Sequence, residues 1–261
     1  MIKIKIGPAG SGITDEKGFI KLSNLGLNAL EVEFTYGVWM KNDEARKLGK
    51  LASSLNIDLS VHAPYFINLS SEDKKKIEAS KKRILLSCER AHLLNAKYVV
   101  FHAAYYGKKD KEEIYNKVKN EILDLQEKIK KQGYNVFLAP ETTGKISQFG
   151  TLDELLKLSK ETKCKFCIDF AHIKARQNGK IDYDEIFKKL KNTKHLHCHF
   201  SGIEYNTKGE KRHILTKEKD IKELFSYMIK YKVKATIINE SPSPLSDALK
   251  MKKILDVMLK K

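Results

Sequence analysis

Long apolar runs are missing from this chain. No stretch approaches the ~20 consecutive apolar residues that a membrane-spanning helix needs, which excludes an integral helical membrane protein. Cysteine is scarce as well. Cys88, Cys164, Cys167 and Cys198 are too few and too scattered for a disulfide framework, and point to a reducing cytoplasm. Met1 runs directly into a strand pattern, so no signal peptide is expected. No linker rich in Pro, Gly or Ser interrupts the sequence, and residues 1–261 read as a single domain. Acidic residues are also in deficit, with 33 Asp and Glu against 50 Lys and Arg, a net charge of +17. An excess of that size attracts polyanions, nucleic acid first and acidic membrane surfaces second. The plainer reading is a Lys-rich surface of a heat-adapted protein, which does not account for the imbalance of sign. With 41% hydrophobic residues the chain can bury a sizeable core, so disorder is not expected.

The patterning is a strict alternation. Met1-Ile2-Lys3-Ile4-Lys5-Ile6 reads as a strand, and 17–25 as a helix closed by Gly26. Strands follow at 29–34, 58–62, 97–102, 135–141, 166–169, 195–200 and 235–240. Between them lie helices at 42–56, 71–94, 111–131, from Thr151, near 182–191 and at 217–231, and a last amphipathic helix starts near 245. Thr151-Leu152-Asp153-Glu154 is a capping box. Eight strands alternating with helices argue a parallel sheet closed into a (β/α)8 TIM barrel, which commonly takes about 250 residues. Residues 202–216 form the longest polar connection, expected to be functional or mobile.

Active sites of such barrels sit at the carboxyl ends of the strands. Glu33, His62, His102, Glu141, Asp169 with His172, His197 or His199, and Glu240 all stand there. Seven consecutive strands each deliver an imidazole or a carboxylate. Burying so many ionisable groups for packing alone would cost several kcal/mol each. A mixed His and carboxylate set suits zinc, manganese or iron. It also exceeds the four ligands of one tetrahedral zinc, so more than one metal is expected.

Several segments resemble the endonuclease IV family of apurinic/apyrimidinic endonucleases. They are His62-Ala63-Pro64-Tyr65-Phe66-Ile67-Asn68-Leu69, Val100-Phe101-His102, Pro140-Glu141-Thr142-Thr143-Gly144, Ile168-Asp169-Phe170-Ala171-His172, His197-Cys198-His199-Phe200-Ser201, Lys211-Arg212-His213 and Asn239-Glu240-Ser241-Pro242. The resemblance implies a xylose-isomerase-like TIM barrel with two or three Zn2+ (Mn2+ or Fe2+ as substitutes). It implies that His62 and His102 hold a first metal and that Glu141 bridges to a second, completed by Asp169, His197 and Glu240. His172 and His213 would hold a third. It also implies a monomeric base-excision repair enzyme. Cleavage would fall 5′ to abasic sites in duplex DNA, by attack of a metal-activated hydroxide. Tyr65, Trp39 and Arg212 are its candidate DNA contacts, with no membrane partner.

The chain departs from that family in three places. Lys211 stands where the family has Asp, which removes a carboxylate from the third site, and Glu210 is the candidate replacement. Counting from His197, His199 and Phe200 occupy the family's Asn-Asp positions, making His199 an added ligand or a neighbour of the ligands. Gly37 and Val38, not a basic wedge residue, precede Trp39. Glu33 is a further candidate beside the metals or for contact with a sugar. Tyr105-Tyr106-Gly107-Lys108-Lys109 suits base stacking and phosphate contact, or a solvated loop. The basic runs at 74–76 and 81–83 read as solvated helix faces, and Cys164 and Cys167 as packing residues on opposite strand faces. A second function class is a divalent-metal sugar isomerase or epimerase on the same barrel, which by resemblance would use Glu141, Asp169, His197 and Glu240. A third is a non-catalytic DNA-binding relative.

Overall fold

A computed structural model describes residues 3–10 and 13–260; Met1 and Ile2 of the expected first strand lie outside them. The barrel strands are β1 (Lys3–Pro8), β2 (Ala29–Glu33), β3 (Asp58–His62), β4 (Tyr98–Phe101), β5 (Phe137–Pro140), β6 (Cys167–Asp169) and β7 (Leu196–Phe200). A hairpin, β8 (Gly202–Asn206) and β9 (Gly209–Ile214), then intervenes before the last barrel strand, β10 (Lys234–Asn239). All pairings within the barrel are parallel, as two half-sheets, β1-β10-β7-β6 and β2-β3-β4-β5. Single bridges close the seams, Ala9 to Glu31 and Glu141 to Cys167. The expected single-domain TIM barrel is therefore the observed fold.

The outer helices are α1 (Glu16–Asn24), α2 (Asn42–Ser54), α3 (Lys74–Leu93), α4 (Lys111–Lys131), α5 (Leu152–Thr162), α6 (Phe170–Arg176), α7 (Tyr183–Lys189), α8 (Glu218–Lys230) and α9 (Pro244–Met258). Most of their starts follow from capping chemistry. Asp15, Asp73, Asp110 and Asp182 each accept a backbone N–H of the first turn, and Thr151 with Glu154 forms the expected capping box. Asp73 is why α3 starts at Lys74 rather than near Ser71. The single helix expected near 182–191 is preceded by a short one, α6, which begins directly at the end of β6. Its cap is Asp169 itself, whose Oδ1 accepts the His172 backbone N–H at 2.8 Å. The polar stretch 202–216, expected as a long functional or mobile connection, is mostly an antiparallel hairpin.

The main apolar core lies between barrel and helices, where Phe19, Phe34, Phe101, Phe149, Phe170, Phe187 and Phe225 are fully buried. Inside the barrel the apolar filling is small, Val100, Ala139 and Cys167 with Tyr98 against them. Many of the other interior positions carry polar groups. Near the amino-terminal end Lys5 pairs with Asp58 at 2.8 Å, and His195 Nε2 lies 3.0 Å from Thr236 Oγ1. Lys81, read from the sequence as part of a solvated face, is buried on α3 among Glu78, Glu121 and Asp124. Cys164 packs in the outer core and Cys167 inside the barrel, on the opposite faces that strand alternation requires.

The seam between β1 and β2 depends on a glycine. A Cβ on Gly7 would lie 1.8 Å from the Ala29 carbonyl oxygen, which is backbone and cannot swing away. Gly7→Ala should destabilise the fold by upwards of about 3 kcal/mol, lowering the thermal midpoint by roughly 10 °C, as checked by circular dichroism melting.

Candidate metal centre

The barrel register fixes which side chains share a level. Glu33 on β2 stands opposite His62 on β3, and Asp169 on β6 stands opposite His199 on β7. His197 is aligned with Cys167 and with Thr236, one layer deeper. The structure therefore brings His199, not His197, to the carboxylates at the mouth, and the expected place of His197 in the second site is taken by His199. Both histidines share the inward face of β7, so alternation alone does not separate them; register across the barrel does.

Glu141 is the centre of the mouth. Its Oε2 lies 3.3 Å from His62 Nε2 and 3.1 Å from His102 Nε2. Its Oε1 lies 3.2 Å from His172 Nδ1 and 3.2 Å from His199 Nδ1. His199 Nδ1 is also 3.1 Å from Glu240 Oε1. Three adjacent groups have donor atoms close enough to share an ion: His62, His102 and Glu141; Glu141, Asp169, His199 and Glu240; Asp169, His172 and His213. Two more lie beside or below them, Glu31 with Glu33 and Glu240, and Cys167 with His197 and His199.

The hydrogen bonds behind the imidazoles aim them. A carbonyl only accepts, so His62 donates Nδ1–H to Ala63 O (2.8 Å), and His172 donates Nδ1–H to Thr142 O (2.9 Å). Ser201 donates its hydroxyl to Gly202 O at 2.9 Å, so its oxygen accepts His213 Nδ1–H at 2.7 Å. In each ring Nε2 is left facing the carboxylates. The Nε2 atoms of His172 and His213 are 3.1 Å apart, a separation that suits two ligands converging on one ion. Asp169 presents a buried Oδ2 with no hydrogen-bond partner, and Glu33 a buried Oε1 in the same condition. Unpartnered buried carboxylate oxygens are costly in a dry interior. Together with the nitrogen and oxygen donor set, they fit divalent metal ions of the zinc, manganese or iron type.

Lys211 does not reach this site. The β8–β9 pairing steps from Glu204 opposite Arg212 to Tyr205 opposite Glu210, which makes Lys211 the extra residue of a β-bulge. Lys211 Nζ turns to Glu204 Oε1 at 2.6 Å, and Arg212 Nε to Glu204 Oε2 at 2.7 Å. On a regular strand Glu210 and His213, three positions apart, would face opposite ways. The bulge restores them to one side, with Glu210 Oε2 3.4 Å from His172 Nε2 and Oε1 3.9 Å from His213 Nε2. Gly144 makes room: a Cβ there would lie 2.6 Å from Glu210 Cβ and 3.0 Å from His172 Cδ2.

Electrostatics follow the crowding. Burial pushes the Asp169 carboxyl up to about 6 and the Glu33 carboxyl up to about 8. Burial acts the same way on Glu141, but the imidazoles around it, His199 and His102 foremost, hold it well below the usual carboxylate range. For His62 burial disfavours the cation, and the carboxylates of Glu33 and Glu141 outweigh it, lifting the imidazole to about 10. His172 and His199 are raised in the same sense.

The rim is aromatic. Trp39 and Tyr65 are each 51% exposed and Phe66 60%, with Tyr36, Tyr105, Ile146 and Leu215 exposed on neighbouring loops of the same face. Trp39 donates Nε1–H to Glu33 O (3.1 Å), and Tyr65 packs edge-on to His62. A cavity of 680 Å3 opens between them over Glu33, His213 and Glu240. Tyr106, expected in a stacking loop, is instead buried with its hydroxyl on Glu154. The residue that the sequence reading passed over is Glu31, fully buried two positions before Glu33 on the same strand face. The Glu31-Val32-Glu33 spacing was its only signal.

The defining pattern of the xylose isomerase-like TIM barrel family matches residues 19–261. An uncharacterized protein of Methanocaldococcus jannaschii is 39% identical over 97% of both chains. A probable endonuclease 4 of Mycobacterium leprae is 26% identical over 67% of this chain and 72% of its own. Among solved structures, a D-tagatose 3-epimerase-like protein superimposes with a TM-score of 0.74 at 20% identity, covering 99% of this chain and 97% of its own. Endonuclease IV from Thermus thermophilus superimposes with 0.73 at 18% identity, covering 99% of each. The overall fold is thus about equally like both.

The surrounding carboxylates favour the protonated form of His62, His172 and His199, so a metal bound by these rings displaces protons. Zinc loading of the chelator-stripped protein at pH 7 should release on the order of three protons per chain, one from each of these imidazoles. Apparent affinity should fall about tenfold per proton displaced for each unit decrease in pH below neutrality. Calorimetric titration in buffers of different ionisation enthalpy measures both.

Proposed function

The chain belongs to the xylose isomerase-like TIM barrel family, and from that premise we propose that it is a metal-dependent endonuclease. Its substrate is duplex DNA carrying abasic sites, cut 5′ to the lesion. The observation that carries this reading is the run of three adjacent donor groups sharing Glu141 and Asp169. By resemblance, a sugar isomerase or epimerase would hold its metal with the Glu141, Asp169, His199 and Glu240 set, and would leave His62, His102 and His213 without a role.

His62, His102 and Glu141 would hold one ion, and Glu141, Asp169, His199 and Glu240 a second. Asp169, His172 and His213 would hold a third, with Glu210 beside His172 as a further candidate ligand. Metals so placed lower the pKa of bound water and neutralise charge on phosphoryl oxygens. The protein's own share is positioning. The hydrogen bonds to Ala63, Thr142 and Ser201 hold the imidazoles in one orientation before substrate arrives. Trp39, Tyr65 and Phe66 offer faces on which unpaired bases stack, and the +17 charge favours a polyanion. Arg212, exposed at the hairpin, is a candidate phosphate contact.

The epimerase reading is supported by one specific observation. The Glu141, Asp169, His199 and Glu240 group is by itself a complete two-Glu, Asp and His set, and the 680 Å3 cavity that Glu240 lines has room for a monosaccharide.

Zinc-loaded protein should nick a duplex carrying a single tetrahydrofuran abasic analogue, leaving a 3′-hydroxyl, and should leave the undamaged duplex intact. Glu141→Ala should reduce nicking by more than on the order of a hundredfold, since loss of a group merely adjacent to ligands already costs ten- to a hundredfold. An intact abasic strand at enzyme excess, with epimerisation of a ketose by the same preparation, would establish the epimerase instead.

Elemental analysis should find two to three zinc ions per chain, beyond the one an epimerase needs. Glu210→Ala should lower the count by about one while the other two ions remain. An unchanged count would mean that Glu210 is no ligand.

A further inference from the structure

Below the mouth, Glu31 reaches across the barrel interior from β2 to β7. Its Oε2 accepts the Ser60 hydroxyl at 2.7 Å and lies 3.0 Å from His197 Nε2. Its Oε1 lies 2.8 Å from His199 Nε2. All four side chains are buried, Glu31 and His199 completely. The ring of Tyr98 stacks on His197 with centroids 5.0 Å apart and closes the layer from below.

An ionised carboxylate is an acceptor only. His197 therefore donates Nε2–H to Glu31 Oε2. His199 Nε2 and Glu31 Oε1 are 2.8 Å apart but off the line of a hydrogen bond, and neither has another partner; an unprotonated Nε2 there would set two lone pairs against each other, so His199 too carries its proton on Nε2. For His199 this leaves Nδ1 as the free donor atom, and Nδ1 is the nitrogen that faces Glu141 Oε1 and Glu240 Oε1. His197 lacks that second contact, since its Nδ1 is buried and has no partner. An apolar side chain of similar size at position 31 would fill the barrel without burying a charge, and such replacements are often neutral or stabilising. Packing alone therefore gives no reason for a carboxylate here, whereas aiming a metal-binding imidazole does.

We propose that Glu31 is a positioning residue: it fixes the tautomer and ring orientation of His199, so that His199 binds metal through Nδ1. His197 is the second imidazole of the same clamp and is not a ligand. This rests on the reading of Glu141, Asp169, His199 and Glu240 as a metal site.

The test starts from the wild-type protein. In zinc-loaded protein labelled with 15N at histidine, with signals assigned by substituting histidines one at a time, His199 should show a zinc-shifted Nδ1. Its Nε2 should carry a slowly exchanging, downfield proton. Zinc bound through His199 Nε2 would overturn the proposal whatever the variants do. Glu31→Ala should weaken zinc binding, measured by chelator competition, about ten- to a hundredfold, with the Nε2 proton lost to fast exchange. Glu31→Gln keeps one acceptor for His199, because His197 can switch tautomer through its free Nδ1. It should recover most of the affinity and keep the Nε2 proton, shifted upfield. Melting of the metal-free variants controls for folding, and Glu31→Gln serves should Glu31→Ala fail to fold. Wild-type affinity and an unchanged Nε2 proton in both variants would sink this inference while leaving the endonuclease reading standing. A wild-type protein that takes up no zinc would sink the metal site itself.

Discussion

One carboxylate organises the barrel mouth. Glu141 sits within 3.3 Å of four imidazoles drawn from β3, the end of β4, α6 and β7. It lies at the seam where β5 meets β6 through a single bridge to Cys167. Closing the barrel at that seam and gathering the donors are therefore one geometric event. A buried carboxylate so placed needs positive charge around it, and the imidazoles supply it as protonated rings or yield it to metal ions. The rest of the centre, from the carbonyls that orient the rings to the buried Glu31 layer, serves that exchange.

The barrel was legible in the sequence because strands alternated regularly with helices, and seven of the eight strands ended in an ionisable group. Glu33, His62, His102, Glu141, Asp169, His172 and Glu240 all stand where strand ends place them. Three details were not legible, each for a physical reason. His197 and His199 share a face, and only register with Cys167 and Asp169 on β6 assigns them to different layers. Glu210 was named as the candidate replacement, but how it comes to face the same side as His213 was not legible, because a β-bulge leaves no mark in the alternation that it interrupts. Glu31 looked like an ordinary strand position, since its partners come from β3 and β7, far away in sequence.

The bulge also gives the Lys211 departure a structural account. A basic residue at the family's acidic position reads as the loss of a ligand if the strand is taken as regular. With one extra residue in β9, Lys211 and Arg212 both turn to Glu204, and the carboxylate arrives from position 210 instead. The bulge sets the Glu210 carboxylate beside His172 and His213. Gly144 completes the exchange, because any side chain there would collide with the displaced carboxylate.

Epimerase and endonuclease barrels overlay this chain about equally, so the backbone does not discriminate between them. What separates the two chemistries must lie in groups added to the common Glu, Asp, His and Glu set. Here those are His62 and His102 on one side of Glu141 and the His172, His213 and Glu210 lobe on the other. Each addition brings imidazole or carboxylate donors for which a sugar enzyme built on the common set alone has no use. The rim argues in the same direction. Half-exposed Trp39, Tyr65 and Phe66 give up hydrophobic burial, a loss that is recovered only against a large flat partner, and a monosaccharide offers far less such surface than a stack of bases.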